Sequence, residues 1–241
     1  MPHGRAERSA ADSLQVSFAV TRTRARVFFL IASVIALVSC ATPDLYSQPQ
    51  VQSYRKTNTQ SESIGGRGPH TLRVMTINVA HGRGDGLHQL LQGSDATLAN
   101  LDNIAALLEN IAPDVVALQE ADGPSFWSGN FNHVEYLASR GGFRQSVRAS
   151  QVDGMGLSYG TALIANLDLS EPEAITFDPE LTPVPKGFVV STIAWPGQPC
   201  VEVDIVSVHL DFSSHTIRKQ QARELIERLH DRNRPAIVMG D

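Results

Sequence analysis

Cysteine is scarce in this chain. Two among 241 residues, Cys40 and Cys200, exclude a disulfide framework as the source of stability. Positive charge is also in deficit: the net charge of −5 and pI near 5.9 argue against a broad basic surface that grips nucleic acid. They leave room for a site that meets phosphate through a metal ion and a few local cations. No apolar run approaches the roughly 20 residues that span a bilayer, and no internal repeat is present. What remains is ordinary for a foldable chain, with 42% apolar and 19% charged residues. The length suits one sizeable α/β domain with an extension.

The extension lies at the N-terminus. Arg22, Arg24 and Arg26 precede an apolar run from Val27 to Val38, followed by Ser39, Cys40 and Ala41. Basic residues before a short apolar core mark an export signal, to be kept out of the fold. Leu37-Val38-Ser39-Cys40 resembles a bacterial lipobox, in which the cysteine is lipidated. The expectation is a lipoprotein-type signal over residues 1–40, with export to the bacterial cell envelope and a lipid anchor at Cys40. An ordinary signal peptide or a short anchor with an incidental cysteine is the alternative. Residues 41–70 are rich in Ser, Thr, Gln, Pro and Gly without apolar periodicity, and read as a flexible tether to the membrane. Residues 71–241 would then be the folded domain.

Within it, Leu72–Val79 reads as a strand covered on both faces. A helix capped by Ser94 or Asp95 carries Leu98, Leu101, Ile104, Ala105, Leu108 and Ile111 on one stripe and stops before Pro113. Residues 114–119 form a second apolar strand ending at Glu120, and residues 131–140 a second helix. Tyr159–Ala165 and Phe188–Trp195 read as strands. Val201–Leu210 alternates Val201, Val203 and Ile205 against Glu202 and Asp204, and so begins half exposed. A helix capped by Ser213 or Ser214 runs to about Asp231, with Ile217, Leu225, Ile226 and Leu229 inward. Ala236–Met239 has the pattern of a buried strand and leads to Asp241, with no turn or polar tail, which suggests a truncated sequence rather than a short native terminus. This order of elements points to helices packed outside stacked sheets.

Four polar residues fall where apolar strands end: Asn78, Glu120, His209 and Asp241. Polar side chains at the mouths of buried strands are costly to desolvate without partners. Gathered at one edge, they could share a metal ion, a water and a phosphate. Singly, each has a bland reading as a solvated strand end, a turn former or a satisfied histidine.

Thr76-Ile77-Asn78, Leu118-Gln119-Glu120, Tyr159-Gly160-Thr161-Ala162-Leu163-Ile164, Val208-His209-Leu210-Asp211 and Val238-Met239-Gly240-Asp241 together resemble the successive motifs of the endonuclease/exonuclease/phosphatase superfamily. The resemblance implies a four-layer α/β sandwich of deoxyribonuclease I type, incomplete at the C-terminus. It implies a hydrolase of phosphate esters using Mg²⁺ or Mn²⁺. Glu120 would bind the cation with Asn78 beside it, His209 would hydrogen-bond or protonate a phosphate oxygen, and Asp241 would position the attacking water. Lys186 would face phosphate, and Tyr159 would line the site or pack in the core. Arg218 and Gln221 would support. The family's Asp-His pair and the Asn after Asp241 are missing, so the 241-residue chain is expected to be inactive. Export favours nucleic acid or phospholipid headgroups as substrates over cytoplasmic inositol phosphates. The contrasting reading is a surface lipoprotein that keeps the fold as a binding module.

Overall fold

Apolar runs and alternation resolve into nine strands and three helices among the described residues of a computed structural model: 50–53, 70–84, 86, 93–178 and 184–241. In chain order these are β1 (Gln50–Ser53), β2 (Val74–Asn78), α1 (Ser94–Ile111), β3 (Val115–Asp122), α2 (His133–Arg140), β4 (Gln145–Gly154), β5 (Leu157–Ala165), β6 (Ser170–Thr176), β7 (Gly187–Trp195), β8 (Gln198–His209), α3 (His215–Arg232) and β9 (Ala236–Gly240). A short 3-10 turn, Ala80–Gly82, follows β2. All the described residues fall within one compact unit, Pro43–Asp241. The apolar run at residues 27–38 and Cys40 lie outside the described residues.

The strands form two sheets, ordered β1-β4-β5-β3-β2 and β6-β7-β8-β9. Each sheet holds one parallel pair, β2 with β3 and β8 with β9. Parallel neighbours need a crossover, and α1 and α3 provide it, giving one strand–helix–strand unit per sheet. The two inner faces meet through Val115, Ala117, Val147, Leu163, Val189, Ile193, Ile205 and Met239. The outer face of the first sheet buries Leu101 and Leu108 of α1 and Val134 and Leu137 of α2. The outer face of the second packs Phe188, Val190 and Val206 under Leu225 of α3. Helix, sheet, sheet, helix is the four-layer sandwich the motifs implied. Burying a side chain such as Leu101 completely contributes about 1.5–3 kcal/mol, and these three clusters hold the strand ends in register.

Several local expectations need correction. Gln50–Ser53 lies in the stretch read as linker, yet it pairs antiparallel with Ser146 and its neighbours on β4. Backbone pairing needs no apolar periodicity, so nothing in the pattern of residues 50–53 signals it. β2 is an edge strand of its sheet, with Val74 and Thr76 exposed rather than covered. Gly93, not Ser94, caps α1, and it makes no side-chain cap hydrogen bond. Ser214 does cap α3, accepting from the Ile217 amide. In α3, Ile226 is 64% exposed and Gln221 takes the inward place, because the Asp211 turn supplies it with a partner. Asp204 is fully buried, where alternation placed it outside. β9 is half exposed, with Val238 facing out.

Candidate active site at the ends of two facing strand pairs

Both parallel pairs end at the same edge, and the polar residues of the motifs come together there. Asn78 is the last residue of β2; its Oδ1 accepts from the Ala80 amide at 2.8 Å and its Nδ2 donates to Asp241 Oδ2 at 3.0 Å. Asp241 follows β9 and is tied to β8 by backbone bonds with Val208 and Leu210. His209 ends β8 opposite Gly187, the first residue of β7, so Lys186 is delivered beside it. Gly187 runs so close to the Ile175 carbonyl that a Cβ there would clash with backbone.

Glu120 is placed by a defect in its strand. Pairing of β3 with β5 shifts between Leu118 and Ala121, and Glu120 adopts a left-handed backbone, φ +50°. A bulge of this kind re-aims one side chain, and left-handed backbone at a non-glycine residue costs about 1–3 kcal/mol. The surrounding β3 residues are all buried while Glu120 alone is partly open. The strain turns the carboxylate out of the core and into the site.

There Glu120 Oε1 lies 3.7 Å from His209 Nε2, and Asp241 Oδ1 lies 3.6 Å from the same nitrogen. Both separations exceed a proper hydrogen bond. Lys186 Nζ is 3.0 Å from Nε2 and 3.2 Å from Nδ1 of His209. Burial, and then the charge of Lys186, push the His209 pKa down to about 4, so the ring is neutral at pH 7. Burial also lowers Lys186, against the pull of Glu120, Asp241 and Asp211. In a neutral His209 the Lys186 ammonium donates to whichever ring nitrogen lacks hydrogen, and Nε2 is also the nitrogen that faces the two carboxylates.

A second group of residues stands behind Glu120, and sequence reasoning missed it. Asp122 is fully buried; its Oδ1 lies 2.7 Å from His81 Nδ1, and its Oδ2 accepts from Trp127 Nε1 at 2.8 Å. His81 Nε2 faces Glu120 Oε2 at 3.4 Å. A signal was available: Glu120 and Asp122 are two apart at the end of an apolar strand, the spacing that shares a face. His81 is set in the left-handed turn after β2, whose Gly82, φ +73°, packs against Thr97 and His133 where a Cβ would collide.

The structure therefore brings Asn78, Glu120, His209, Asp241 and Lys186 together. Tyr159 is buried and meets the site through His81, edge to face at 5.1 Å, with burial raising its hydroxyl pKa. Arg218 donates to the Asp211 carbonyl and Gln221 accepts from the Asp211 amide, so both brace the turn after β8. Among the described residues no three His, Cys, Asp or Glu side chains form a ready-made metal cage. Two facing carboxylates and an amide oxygen nonetheless match a hard divalent cation, which takes one or two carboxylates and completes its shell with water and phosphate oxygen.

Comparison with known proteins agrees with this architecture. The family model for the endonuclease/exonuclease/phosphatase family matches residues 75–241. A solved structure of a family protein from Leptotrichia buccalis aligns at 17% identity and TM-score 0.52, covering 71% of this chain and 66% of that one. Humanized D. rerio TDP2 aligns at 20% identity and TM-score 0.50, covering 70% and 65%. TDP2 from C. elegans aligns at 17% identity and TM-score 0.50, covering 70% and 47%. This chain thus spans less than two thirds of the length of each. No curated protein matches it. With the family model covering the domain from β2 through Asp241 and the four layers in place, the chain belongs to the endonuclease/exonuclease/phosphatase family.

Proposed function

We propose that the domain hydrolyses phosphate esters with the aid of a divalent cation, Mg²⁺ or Mn²⁺. The observation that carries this reading is the meeting of Glu120, His209, Asp241 and Asn78 from four separate strand ends. Glu120 would hold the cation, with Asn78 fixed beside it by the Ala80 amide. When bound, the cation polarises a phosphoryl oxygen and neutralises the charge that develops on it. His209 offers a neutral Nε2–H to a phosphate oxygen. Lys186, beside it, adds a positive charge at this edge. Asp241 is half exposed and anchored through one oxygen by Asn78, leaving the other to orient the attacking water. Phosphodiesters of nucleic acid or of phospholipid headgroups are the proposed substrates, and the segment ending at Cys40 supports presentation at a bacterial envelope through a lipid anchor.

The reading is tested by phosphorus-31 relaxation of dimethyl phosphate with Mn²⁺ and the protein. Line broadening is expected with the wild type and is lost in Glu120→Ala at unchanged circular dichroism. Equal broadening by both proteins contradicts the site. Hydrolysis of bis(p-nitrophenyl) phosphate is the second readout, in which Glu120→Gln lowers any measured rate by at least about 10²-fold. Labelled palmitate incorporation that survives Cys40→Ser contradicts the anchor.

A further inference from the structure

We propose that His81 is a nitrogen ligand of the active-site cation, which it shares with Glu120. The inference rests on the cation-dependent reading above. His81 Nε2 and Glu120 Oε2 are 3.4 Å apart, close enough for one ion to be held by both after a small adjustment of either side chain. Behind the ring, Asp122 Oδ1 meets Nδ1 at 2.7 Å. Histidines that ligate metals almost always give their other ring N–H to a carboxylate, a backbone carbonyl or a water, which fixes the tautomer and aims the free lone pair at the ion. Asp122 is itself held: it is fully buried and its second oxygen takes the Trp127 indole N–H.

The ring has little freedom to turn away. Trp127 packs at 5.2 Å and Tyr159 at 5.1 Å between ring centroids. The backbone is also committed, because Ala80 and His81 both adopt left-handed conformations, φ +47° and +55°. Strain of this kind at two successive non-glycine residues is maintained only where packing over-determines it, and it gathers at functional sites. A histidine present only to satisfy Asp122 would not need Nε2 to face a second carboxylate across a gap too long for a good hydrogen bond. The competing arrangement, an imidazolium bridging Asp122 and Glu120, places no nitrogen on the ion. An imidazole ligand also shifts preference from Mg²⁺ toward Mn²⁺, since nitrogen suits transition metals better than the harder ion.

Electron spin-echo spectroscopy of the Mn²⁺-loaded chain separates the two arrangements. The wild type is expected to show nitrogen-14 modulation that changes to the nitrogen-15 pattern on labelling with ¹⁵N-histidine. The signal is expected to persist in His209→Asn and to vanish in His81→Asn, whose preference for Mn²⁺ over Mg²⁺ falls by about tenfold or more. The labelling arm needs no substitution at His81, so a poorly folding His81→Asn leaves the wild type and His209→Asn to decide. Mn²⁺ bound without histidine modulation overturns this inference alone, as does a signal lost in His209→Asn. A chain that binds no Mn²⁺ overturns the functional reading with it.

Discussion

The paired strands β8 and β9 carry charged clusters at two levels, and the two are built differently. Where β9 begins, Asp204 pairs with Ala236 in register, and Asp204 Oδ2 accepts from Arg232 Nε at 2.8 Å. Its Oδ1 accepts from Thr192 Oγ1 at 2.7 Å and from Arg232 at 3.1 Å, while Arg232 also reaches Glu173. Burial pushes the Asp204 carboxyl up, but Arg232 and Thr192 outweigh it and hold it below the ordinary value. Where the same strands end, Glu120 and Asp241 flank His209 at 3.6–3.7 Å, beyond hydrogen-bond distance. The first cluster is saturated, with each acceptor matched by a donor. The second holds two carboxylates within reach of a neutral histidine and a partly desolvated lysine. Saturation marks a cluster that holds the fold; carboxylates with oxygens left short of a hydrogen bond, one of them turned out by a strained bulge, mark one that awaits a ligand.

Breaking each cluster should therefore read out differently. Asp204→Ala takes from Arg232 its buried partner, leaving it only the more exposed Glu173 carboxylate, and should cost about 3–5 kcal/mol in urea unfolding, the penalty for removing one partner of a buried pair. Cation binding at the other end should be unaffected in the folded fraction. Glu120→Gln should leave stability within about 0.5 kcal/mol of wild type, since the side chain is partly open and its neighbours His81 and His209 stand at 3.4 and 3.7 Å, short of a good hydrogen bond. A loss from Glu120→Gln comparable with that from Asp204→Ala would erase the distinction.

Acid sharpens the contrast. The folded pKa of His209 is near 4, below its ordinary 6.5, so the unfolded chain binds the proton first as pH falls. His209's share of the stability in chelator is expected to be present above about pH 6.5 and to drain away between 6.5 and 4, alongside that of buried His133, which burial also lowers. His209→Gln should flatten the melting-temperature profile in that window, and an unchanged slope would show that another group titrates there. The smallest effect is expected at Ile226, where Ile226→Glu should change stability by no more than about 0.5 kcal/mol because the side chain is exposed.

The site was largely legible because its motifs sit at strand ends: Asn78, Glu120, His209 and Asp241 each close an apolar run, and apolar runs are read without knowing partners. Helices α1 and α3 were legible from their spacing. What escaped depended on partners distant in sequence. Asp204 looked like an outward residue because alternation carries no information about Arg232, 28 positions away. Gln221 was recognised as support but not as the buried residue of α3, since its partner is the Asp211 amide. His81 and Asp122 were passed over because their roles arise only when a left-handed turn and a strand bulge face each other. β1 was invisible, because a strand held by backbone pairing to β4 leaves no hydrophobic mark.

Thermal unfolding with and without Mn²⁺, in wild type and Glu120→Gln, tests the central claim most directly. A cation that completes the open cluster stabilises the native state by about 2.7 kcal/mol at a hundred times its dissociation constant, a rise of about 5–10 °C for a domain of this size. The wild type should show that rise and Glu120→Gln should lose most of it. Equal shifts in both proteins, or none in the wild type, would contradict the account.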